Sequence, residues 1–267
     1  MTLLHLLLVA VIQGLTEFLP ISSSGHLILL PQLTGLSDQG QAIDVAVHVG
    51  TLLAVVLYFR ADVALAARGV PDLLRGRVDT AGGRLAFLLL IATIPVILIG
   101  LALKLTGIDD MMRSVAVIGW TMLIFGIVLY VVDQRGATRL TAPDWTRRDA
   151  LIMGLWQAVA LIPGTSRSGI TISAARYLGY ARQDAAKLSM LMSIPTIIAS
   201  GTLVGADAAM NADAQMWKDA AIGAVFAFVS ALLALSLMMR LLRSVSFTPY
   251  VIYRVALGLV LLAYAYS

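Results

Sequence analysis

Two short segments of the chain combine side chains of the kinds that handle phosphate groups. In the first, at 13–26, Gln13 and Glu17 lie four positions apart, so a helix would place them on one face. After Pro20 come a run of hydroxyls, a glycine and a histidine: Ser22, Ser23, Ser24, Gly25 and His26. Small turns of this kind, and the helix starts that follow them, bind anions. A serine beside a His or Glu can be an activated nucleophile, and a histidine can take up a proton near neutral pH.

The second segment, at 163–169, has Arg167 as its one basic residue. A guanidinium fork flanked by hydroxyls and backbone amides suits a phosphate. The neighbouring hydroxyls, and the glycines that allow close backbone approach, are Thr165, Ser166, Ser168, Gly164 and Gly169. Two interpretations of Arg167 remain open, because it could bind a phosphate or pair with Glu17 as a structural lock.

Composition predicts that the elements positioning these segments are helices in a membrane. Of the 267 residues, 60% are hydrophobic and 13% are charged, whereas a soluble domain has about 25% charged residues. The lack of cysteine excludes disulfides, thiolate metal sites and a cysteine nucleophile. The basic residues lie in short loops between apolar runs, which is typical of anchoring at the cytoplasmic face and not of nucleic-acid binding.

Six apolar runs are long enough to span a bilayer, although the first is marginal. They are 43–59, 85–104, 115–132, 186–205, 218–240 and 249–266. Two further apolar regions, 1–36 and 150–181, are interrupted by the polar segments, and each half is too short to cross alone. Breaks at membrane depth occur only inside protein or beside a water-filled cavity. We therefore predict an all-α polytopic membrane protein with six transmembrane helices and two re-entrant helix pairs. No basic stretch precedes the first apolar residues, so no cleaved signal peptide is expected.

Loop charges predict the orientation of this layout. Fourteen of the 19 basic residues fall in four stretches: 60–84, 133–149, 176–187 and 240–243. One basic residue and five aspartates fall in the loops 37–42, 105–114 and 206–217. If each interrupted region returns to its own side and each long run crosses once, all four basic stretches lie in the cytoplasm. Both termini then lie outside.

The same layout predicts an inverted repeat within a single membrane domain, 1–267, with halves at roughly 1–135 and 145–267. Each half is a re-entrant pair followed by three spans. Because three crossings leave the chain on the opposite side of the membrane, the second half is inverted relative to the first. At an offset of 144 both copies read Q-x8-S-x-S-G, which matches Gln13 with Gln157, Ser22 with Ser166, Ser24 with Ser168 and Gly25 with Gly169. Transporters of this architecture carry their site where the breaks meet.

Single charged residues within the apolar runs allow more than one interpretation. A carboxylate at membrane depth is costly unless it is paired, hydrated or bound to a cation, so Glu17 is either satisfied by neighbours or functional. His48 and Asp44, four positions apart on the first span, could line the cavity or form a structural helix–helix hydrogen bond. Lys104 and Arg254 lie near the ends of spans, where we expect their heads to snorkel to the interface.

The two segments resemble the motifs of the undecaprenyl-diphosphate phosphatase family, also called the bacitracin-resistance family. The resemblance rests on 17–26 with Gln13 before it and on 163–169, and it covers essentially the whole chain, including 43–51. It implies a hydrolase that converts undecaprenyl (C55) diphosphate to undecaprenyl phosphate and inorganic phosphate. That reaction recycles the lipid carrier of peptidoglycan synthesis and confers bacitracin resistance. The resemblance also implies the bacterial inner membrane, with the active site facing the periplasm.

The resemblance further implies catalytic roles for Glu17, a serine of the 22–24 run, His26 and Arg167. It also implies a divalent cation, Mg²⁺ or Ca²⁺, and we expect Glu17 to hold this cation in part. The family's acidic motif starts with Glu or Gln, and Gln13 leaves this chain with one carboxylate there. The other polar and glycine positions of the motifs are expected to contact substrate: Gln13, Ser22, Ser24, Gly25, Gly164, Thr165, Ser166 and Ser168.

By its position in the motif, Ser23 is the expected nucleophile. Ser22 and Ser24 remain alternatives, and direct attack by water remains open. Glu17 or His26 would exchange the proton, while Arg167, the 165–168 hydroxyls and the cation would neutralise the diphosphate, since phosphoryl transfer depends mainly on positioning and charge neutralisation.

The expected partners are a polyprenyl diphosphate lipid and the membrane, without nucleic acid, and a homodimer is an open possibility. The alternative function is a transporter or lipid flippase, because inverted repeats with broken helices serve alternating access. A passive channel is disfavoured because the interrupted segments offer a single Arg and no ring of charges. Nucleotide-driven transport is disfavoured because the sequence has no P-loop.

Overall fold

The protein, seen here in a computed structural model, is almost wholly helical. The structure describes residues 1–35, 38–108, 112–210 and 214–267, without the side chains of 32, 33 and 203–210. Its helices in chain order are α1 (Leu3–Phe18), α2 (Ser23–Thr34), α3 (Gln41–Tyr58), α4 (Arg60–Leu74), α5 (Ala81–Thr106), α6 (Val115–Arg135), α7 (Arg147–Val159), α8 (Arg167–Leu178), α9 (Arg182–Met210), α10 (Ala214–Leu241) and α11 (Thr248–Tyr266), with a 3₁₀ turn at Ala142–Asp144. Three aspartates of the basic-poor loops, Asp109, Asp110 and Asp213, lie outside the described residues.

Five of these helices, α3, α5, α6, α10 and α11, are long and apolar enough to cross a membrane. About a third of each apolar window is buried inside the protein. The outer faces expose large apolar side chains such as Leu98, Val225 and Ile252, which suits contact with lipid. The prediction of an all-α polytopic membrane protein is therefore confirmed. The run 186–205 lies within α9, which at about 1.5 Å per residue is about 43 Å long. The exact layout of six spans and two re-entrant pairs stays a prediction.

Each interrupted region forms two short helices. Helices α1 and α2 have 16 and 12 residues, and α7 and α8 have 13 and 12. At about 1.5 Å per residue none is longer than about 24 Å, whereas the hydrocarbon core is about 30 Å thick. None of the four can cross alone, which is the condition that re-entrant pairs require.

The two breaks share a backbone conformation as well as a sequence pattern. Helix α1 ends before Pro20, because a residue before proline avoids the helical region. Ser22 and Ser166 have φ of 76° and 70°, and no other non-glycine residue in the described ranges has a positive φ. Each serine then caps the following helix, its Oγ accepting from the N–H of Gly25 or of Gly169. The inverted repeat as a whole stays a prediction.

Packing brings the short helices of one half against the long helices of the other. Helix α1 lies against α10, and α7 lies against α5, while α6 and α11 pack on each other. Helices α3 and α10 approach so closely that a Cβ at Gly50 would overlap the Ala224 carbonyl. The interrupted segments are thereby held inside a shell of long helices.

The basic stretches are more structured than the predicted loops. The first contains α4, which packs against α5. Arg176, expected as a loop charge, instead lies in α8 and is almost fully buried. Its Nε donates to Asp133 at 3.1 Å, and Arg182 Nε donates to the same carboxylate oxygen at 2.8 Å. Arg176 also donates to four backbone carbonyls, of Asp133, Gly136, Ala137 and Tyr180, which explains why burial is tolerated.

Candidate active site

The two interrupted segments, far apart in sequence, meet in the interior. Ser168 Oγ of α8 donates to the Leu19 carbonyl at the end of α1, at 3.0 Å. A Cβ on Gly25 would lie 3.6 Å from Gly164 Cα. The meeting point of the two breaks, where we expect the working site, is therefore located at these contacts.

Glu17 is the centre of a hydrogen-bond cluster at this meeting point. Its Oε2 accepts from Gln13 Nε2 at 2.9 Å and from Ser23 Oγ at 2.6 Å. Its Oε1 accepts from Arg167 Nη2 at 2.6 Å. The carboxylate is 7% exposed, so these charge-assisted bonds form largely away from water. The serine singled out from the motif is thus the one whose hydroxyl is bonded to the buried carboxylate.

A cavity of about 350 Å³ opens beside this cluster. Both interrupted segments and the helices α3 and α9 contribute to its polar lining, which includes Glu17, Ser22, Ser23, Ser24, His48, Gln157, Ser166, Arg167, Thr196 and Ser200. His48 Nε2 lies 3.8 Å from Glu17 Oε2, and its Nδ1–H donates to the Asp44 carbonyl at 2.7 Å. Of the two interpretations of His48, the structure supports the one in which it lines the cavity.

A second space, a groove of about 530 Å³ between α3 and α9, adjoins the cavity. The two share His48, Ile197 and Ser200. Apart from these and Asp44, the groove is lined mainly by apolar side chains, among them Val49. A polar cavity and an apolar groove therefore lie side by side.

Several predicted site residues do not line the cavity: Gln13, Gly25, His26, Gly164, Thr165 and Ser168. His26 has its own partners, since Nδ1–H donates to the Ser22 carbonyl and Nε2 accepts from Tyr253, both at 2.6 Å. The His26 and Tyr253 rings are also stacked. The structure thus places His26 in the framework of the first break, and its predicted role in proton transfer stays a prediction.

Arg254 is the site residue that the sequence interpretation missed. It does not snorkel: it is fully buried and donates to backbone carbonyls in three parts of the chain. The prediction was wrong because these carbonyls satisfy a guanidinium that would otherwise have to reach the interface. The missed signal was its position, several residues inside the run 249–266, where a charge indicates a functional role.

Unused hydrogen-bonding groups remain around the cluster. Arg167 Nη1, Thr165 Oγ1 and Gln157 Oε1 are buried and have no partner in the described part of the chain. Arg167 can therefore bind a ligand with one nitrogen while the other holds Glu17. Its two interpretations, as a structural lock on Glu17 and as a phosphate-binding group, are thus compatible. Buried polar atoms without partners are costly, and a bound polar ligand would remove that cost.

Comparison with known proteins identifies the family to which the chain belongs. The family model for bacitracin resistance protein BacA matches residues 6–260. An undecaprenyl-diphosphatase from Dinoroseobacter shibae is 74% identical over the full length of both chains. One from Ruegeria pomeroyi is 70% identical over both full lengths, and one from Chromohalobacter salexigens is 48% identical over 98% of each. The resemblance inferred from the two motifs is confirmed, and the chain belongs to the bacitracin resistance protein BacA family.

Proposed function

We propose that this protein is a membrane phosphatase that hydrolyses undecaprenyl (C55) diphosphate to undecaprenyl phosphate and inorganic phosphate. The observation that carries the proposal is the cluster of Ser23, Glu17 and Arg167 at the meeting point of the two breaks. It joins a nucleophile, a base and an anion-binding group beside one cavity. The names of the relatives point to the same activity, and the reaction would recycle a carrier of peptidoglycan synthesis and so confer bacitracin resistance.

In the proposed first step, Ser23 Oγ attacks the terminal phosphorus and its proton passes to Glu17 Oε2, 2.6 Å away. The bond from that phosphorus to the bridging oxygen breaks, and undecaprenyl phosphate leaves. Water then attacks the phosphorus of the phosphoserine, and the bond from that phosphorus to Ser23 Oγ breaks. Inorganic phosphate leaves with the protons of the water, and Glu17 returns its proton to Ser23 Oγ. Arg167 and the nearby hydroxyls neutralise the phosphate oxygens, which is the main requirement of phosphoryl transfer.

The apolar groove between α3 and α9 supports a lipid substrate. A polyprenyl diphosphate needs a polar pocket for its head and an apolar path for its chain. The groove adjoins the cavity at His48, Ile197 and Ser200, so a chain lying in it would place its diphosphate in the cavity. Entry would then be lateral, from the bilayer.

A divalent cation, Mg²⁺ or Ca²⁺, belongs to the proposal. The described residues contain no group of three or more His, Cys, Asp or Glu side chains that could hold a metal alone. Mg²⁺ often uses one or two carboxylates together with substrate phosphates. Glu17, the one carboxylate among the described residues that line the cavity, and the unpartnered Gln157 Oε1 fit that role. When bound with substrate, the cation would neutralise part of the diphosphate charge.

Phosphate release tests the proposal. Detergent-purified protein with Mg²⁺ or Ca²⁺ should release inorganic phosphate from undecaprenyl diphosphate, and chelation should stop the release until metal is returned. Ser236→Ala, on α10 away from the cavity, serves as the control. A wild-type protein that releases no phosphate with either ion, yet moves the lipid across vesicle membranes, would favour the flippase instead. Release without any metal would refute the cation but not the phosphatase.

We also propose that the protein lies in the bacterial inner membrane with its cavity open to the periplasmic side. The charge distribution supports the orientation of the helices, because it assigns the basic stretches to the cytoplasm. The family resemblance supports the periplasmic side for the cavity. Phosphate release in intact spheroplasts given a membrane-impermeant, short-chain prenyl diphosphate tests this directly. Release only after lysis would place the cavity on the cytoplasmic side.

A homodimer completes the proposal. The outer face of α11 exposes Ile252 and Val260, which could contact lipid or a second copy. Light scattering of the detergent-solubilised protein should give a protein mass of two 28.4 kDa chains. The mass of one chain would contradict the dimer.

A further inference from the structure

Arg254 is a buried cation without a neutralising carboxylate. Its side chain is 0% exposed, and no carboxylate in the described ranges lies within ion-pair distance of it. All its hydrogen bonds go to backbone carbonyls instead. Nε donates to Met122, Nη1 to Pro20, and Nη2 to Thr121, Gly164 and Thr165. Burying an arginine charge is costly, so these hydrogen bonds must offset that cost.

Three of the five carbonyls that Arg254 binds belong to the helix breaks, and the other two belong to α6. Pro20 lies in the first break, and Gly164 and Thr165 lie in the second. A broken helix leaves carbonyls unpaired on one side of the break and N–H groups unpaired on the other. An arginine can only donate, so it satisfies the carbonyls and leaves the N–H groups at the starts of α2 and α8 for an anion. Ser23 and Arg167, the first residues of these helices, line the cavity.

The charge of Arg254 also completes the electrostatics of the cavity. Glu17 and Arg167 form an ion pair, so together they bring no net charge to the cavity, even while Arg167 Nη1 is free to donate to a phosphate. A diphosphate brings negative charge into a site surrounded by apolar helices, where an opposite charge nearby has a large effect. Arg254 binds the breaks that border the cavity and adds the positive charge that the ion pair lacks, although it does not itself line the cavity.

We propose that Arg254 is a positioning residue that ties the two breaks together and supplies the unneutralised positive charge for a diphosphate group. The proposal deepens the phosphatase assignment and rests on it for its kinetic readouts. The charge and the bridging can be separated experimentally. Lysine keeps the charge but, as a point donor, cannot reach the carbonyls of both breaks, whereas glutamine removes the charge.

The experiment compares Arg254→Gln and Arg254→Lys with the wild type and with Arg176→Gln. Arg176 is the matched control because it is equally buried and also bonded to backbone carbonyls, but lies away from the cavity. After its substitution, Arg182 would still pair with Asp133. Each protein is purified in detergent. The measurements are the melting temperature with and without inorganic pyrophosphate, and kcat and KM for undecaprenyl diphosphate.

We expect pyrophosphate to stabilise the wild type and not Arg254→Gln. We expect KM of Arg254→Gln to rise by about tenfold or more, since tenfold corresponds to about 1.4 kcal/mol. Arg254→Lys should keep the pyrophosphate stabilisation but lose kcat by about tenfold or more, because the breaks are no longer tied. Arg176→Gln should melt earlier without a change in KM.

Several results would overturn the proposal. Wild-type KM and pyrophosphate stabilisation in Arg254→Gln would exclude the charge role, as would a wild type that pyrophosphate does not stabilise. An equal rise of KM in Arg176→Gln would make the effect one of general destabilisation. If Arg254→Gln does not fold, Arg254→Lys tests the proposal instead, because a wild-type kcat in Arg254→Lys would exclude the bridging role. A wild type that binds pyrophosphate but releases no phosphate from the lipid would refute the phosphatase alone.

Discussion

At the scale of single residues, the buried carboxylate of Glu17 organises the chemistry. Its two oxygens accept three hydrogen bonds, and one of them holds the Ser23 hydroxyl. Ser24 Oγ lies instead 3.4 Å from Ser22 Oγ, and Ser22 Oγ accepts from the Gly25 N–H as a helix cap. The three serines of the run therefore have different surroundings, and only Ser23 is bonded to the carboxylate that we propose as the base.

This difference predicts a ranking of serine variants. Ser23→Ala removes the proposed nucleophile and should lower kcat for phosphate release by about a thousandfold or more. Ser24→Ala, which loses only a long hydroxyl contact, should stay within about tenfold of the wild type. Phosphate release with undecaprenyl diphosphate measures both. Near-normal turnover in Ser23→Ala, with Glu17→Gln inactive, would replace the covalent route by direct attack of water.

Arg167 predicts a second outcome at this scale. One guanidinium nitrogen holds Glu17 while the other has no partner among the described residues. Arg167→Lys keeps the charge but cannot serve both partners in fixed geometry, so kcat should fall by about a hundredfold. Phosphate release measures the loss, and Lys187→Arg, near the start of α9 where Lys187 pairs with Asp62, is the matched control. Full activity in Arg167→Lys would show that charge alone suffices.

At the scale of elements, the two breaks depend on close backbone contacts. Gly164 has φ of 85°, and a Cβ there would overlap Thr121 Oγ1 and lie 2.8 Å from the Ile118 carbonyl oxygen. The second break is thereby pressed against α6, and Thr121 Oγ1 of α6 donates to the Pro163 carbonyl of the break at 2.6 Å. A side chain at this position would have to displace the turn that carries Arg167.

Gly164→Ala should therefore lower both stability and activity. The left-handed backbone and the overlap together should cost about 1–3 kcal/mol, seen as an earlier melting transition in detergent. The matched control is Gly100→Ala on α5, where a Cβ would be in ordinary contact with Leu161 at 3.5 Å. Equal melting temperatures for the two variants would contradict the tight packing of the break.

The groove between α3 and α9 yields a prediction about the lipid chain. Val49→Trp should fill part of the groove and raise KM for the C55 diphosphate by about tenfold, while a short-chain diphosphate is affected less. Leu98→Trp, on the exposed face of α5, is the matched control. Equal KM values for the C55 substrate in Val49→Trp and the wild type would place the chain elsewhere.

At the scale of the whole molecule, the chain's own lack of cysteine gives a direct test of the layout. Single-cysteine variants at Gly76, Gly107 and Ser267 should be labelled by an impermeant thiol reagent at Gly107 and Ser267 in intact spheroplasts, and at Gly76 only after lysis. The re-entrant layout puts both termini outside. If the second interrupted region crossed the membrane completely, Ser267 would be labelled only after lysis.

The sequence by itself determined that the protein is surrounded by lipid, that its fold is all-α and which chemical groups its site contains. Composition and long apolar runs require lipid, and a proline beside small polar residues requires helix breaks at 20–22 and 163–166. The types of residue there, together with the motif, predicted a phosphate-handling site containing Glu17, Ser23 and Arg167. These inferences are local, because length, hydropathy and turn chemistry are carried by neighbouring residues.

Only the tertiary structure decided which distant groups complete the site. Arg254 binds the carbonyls of Pro20 and Gly164, and His26 faces Tyr253, across separations that leave no periodic signal in the sequence. A span-end arginine and a buried one look alike until the acceptors around them are known. Packing of α11 against α6 and the breaks supplies those acceptors, and that is why a charge expected at the interface lies at the centre of the molecule.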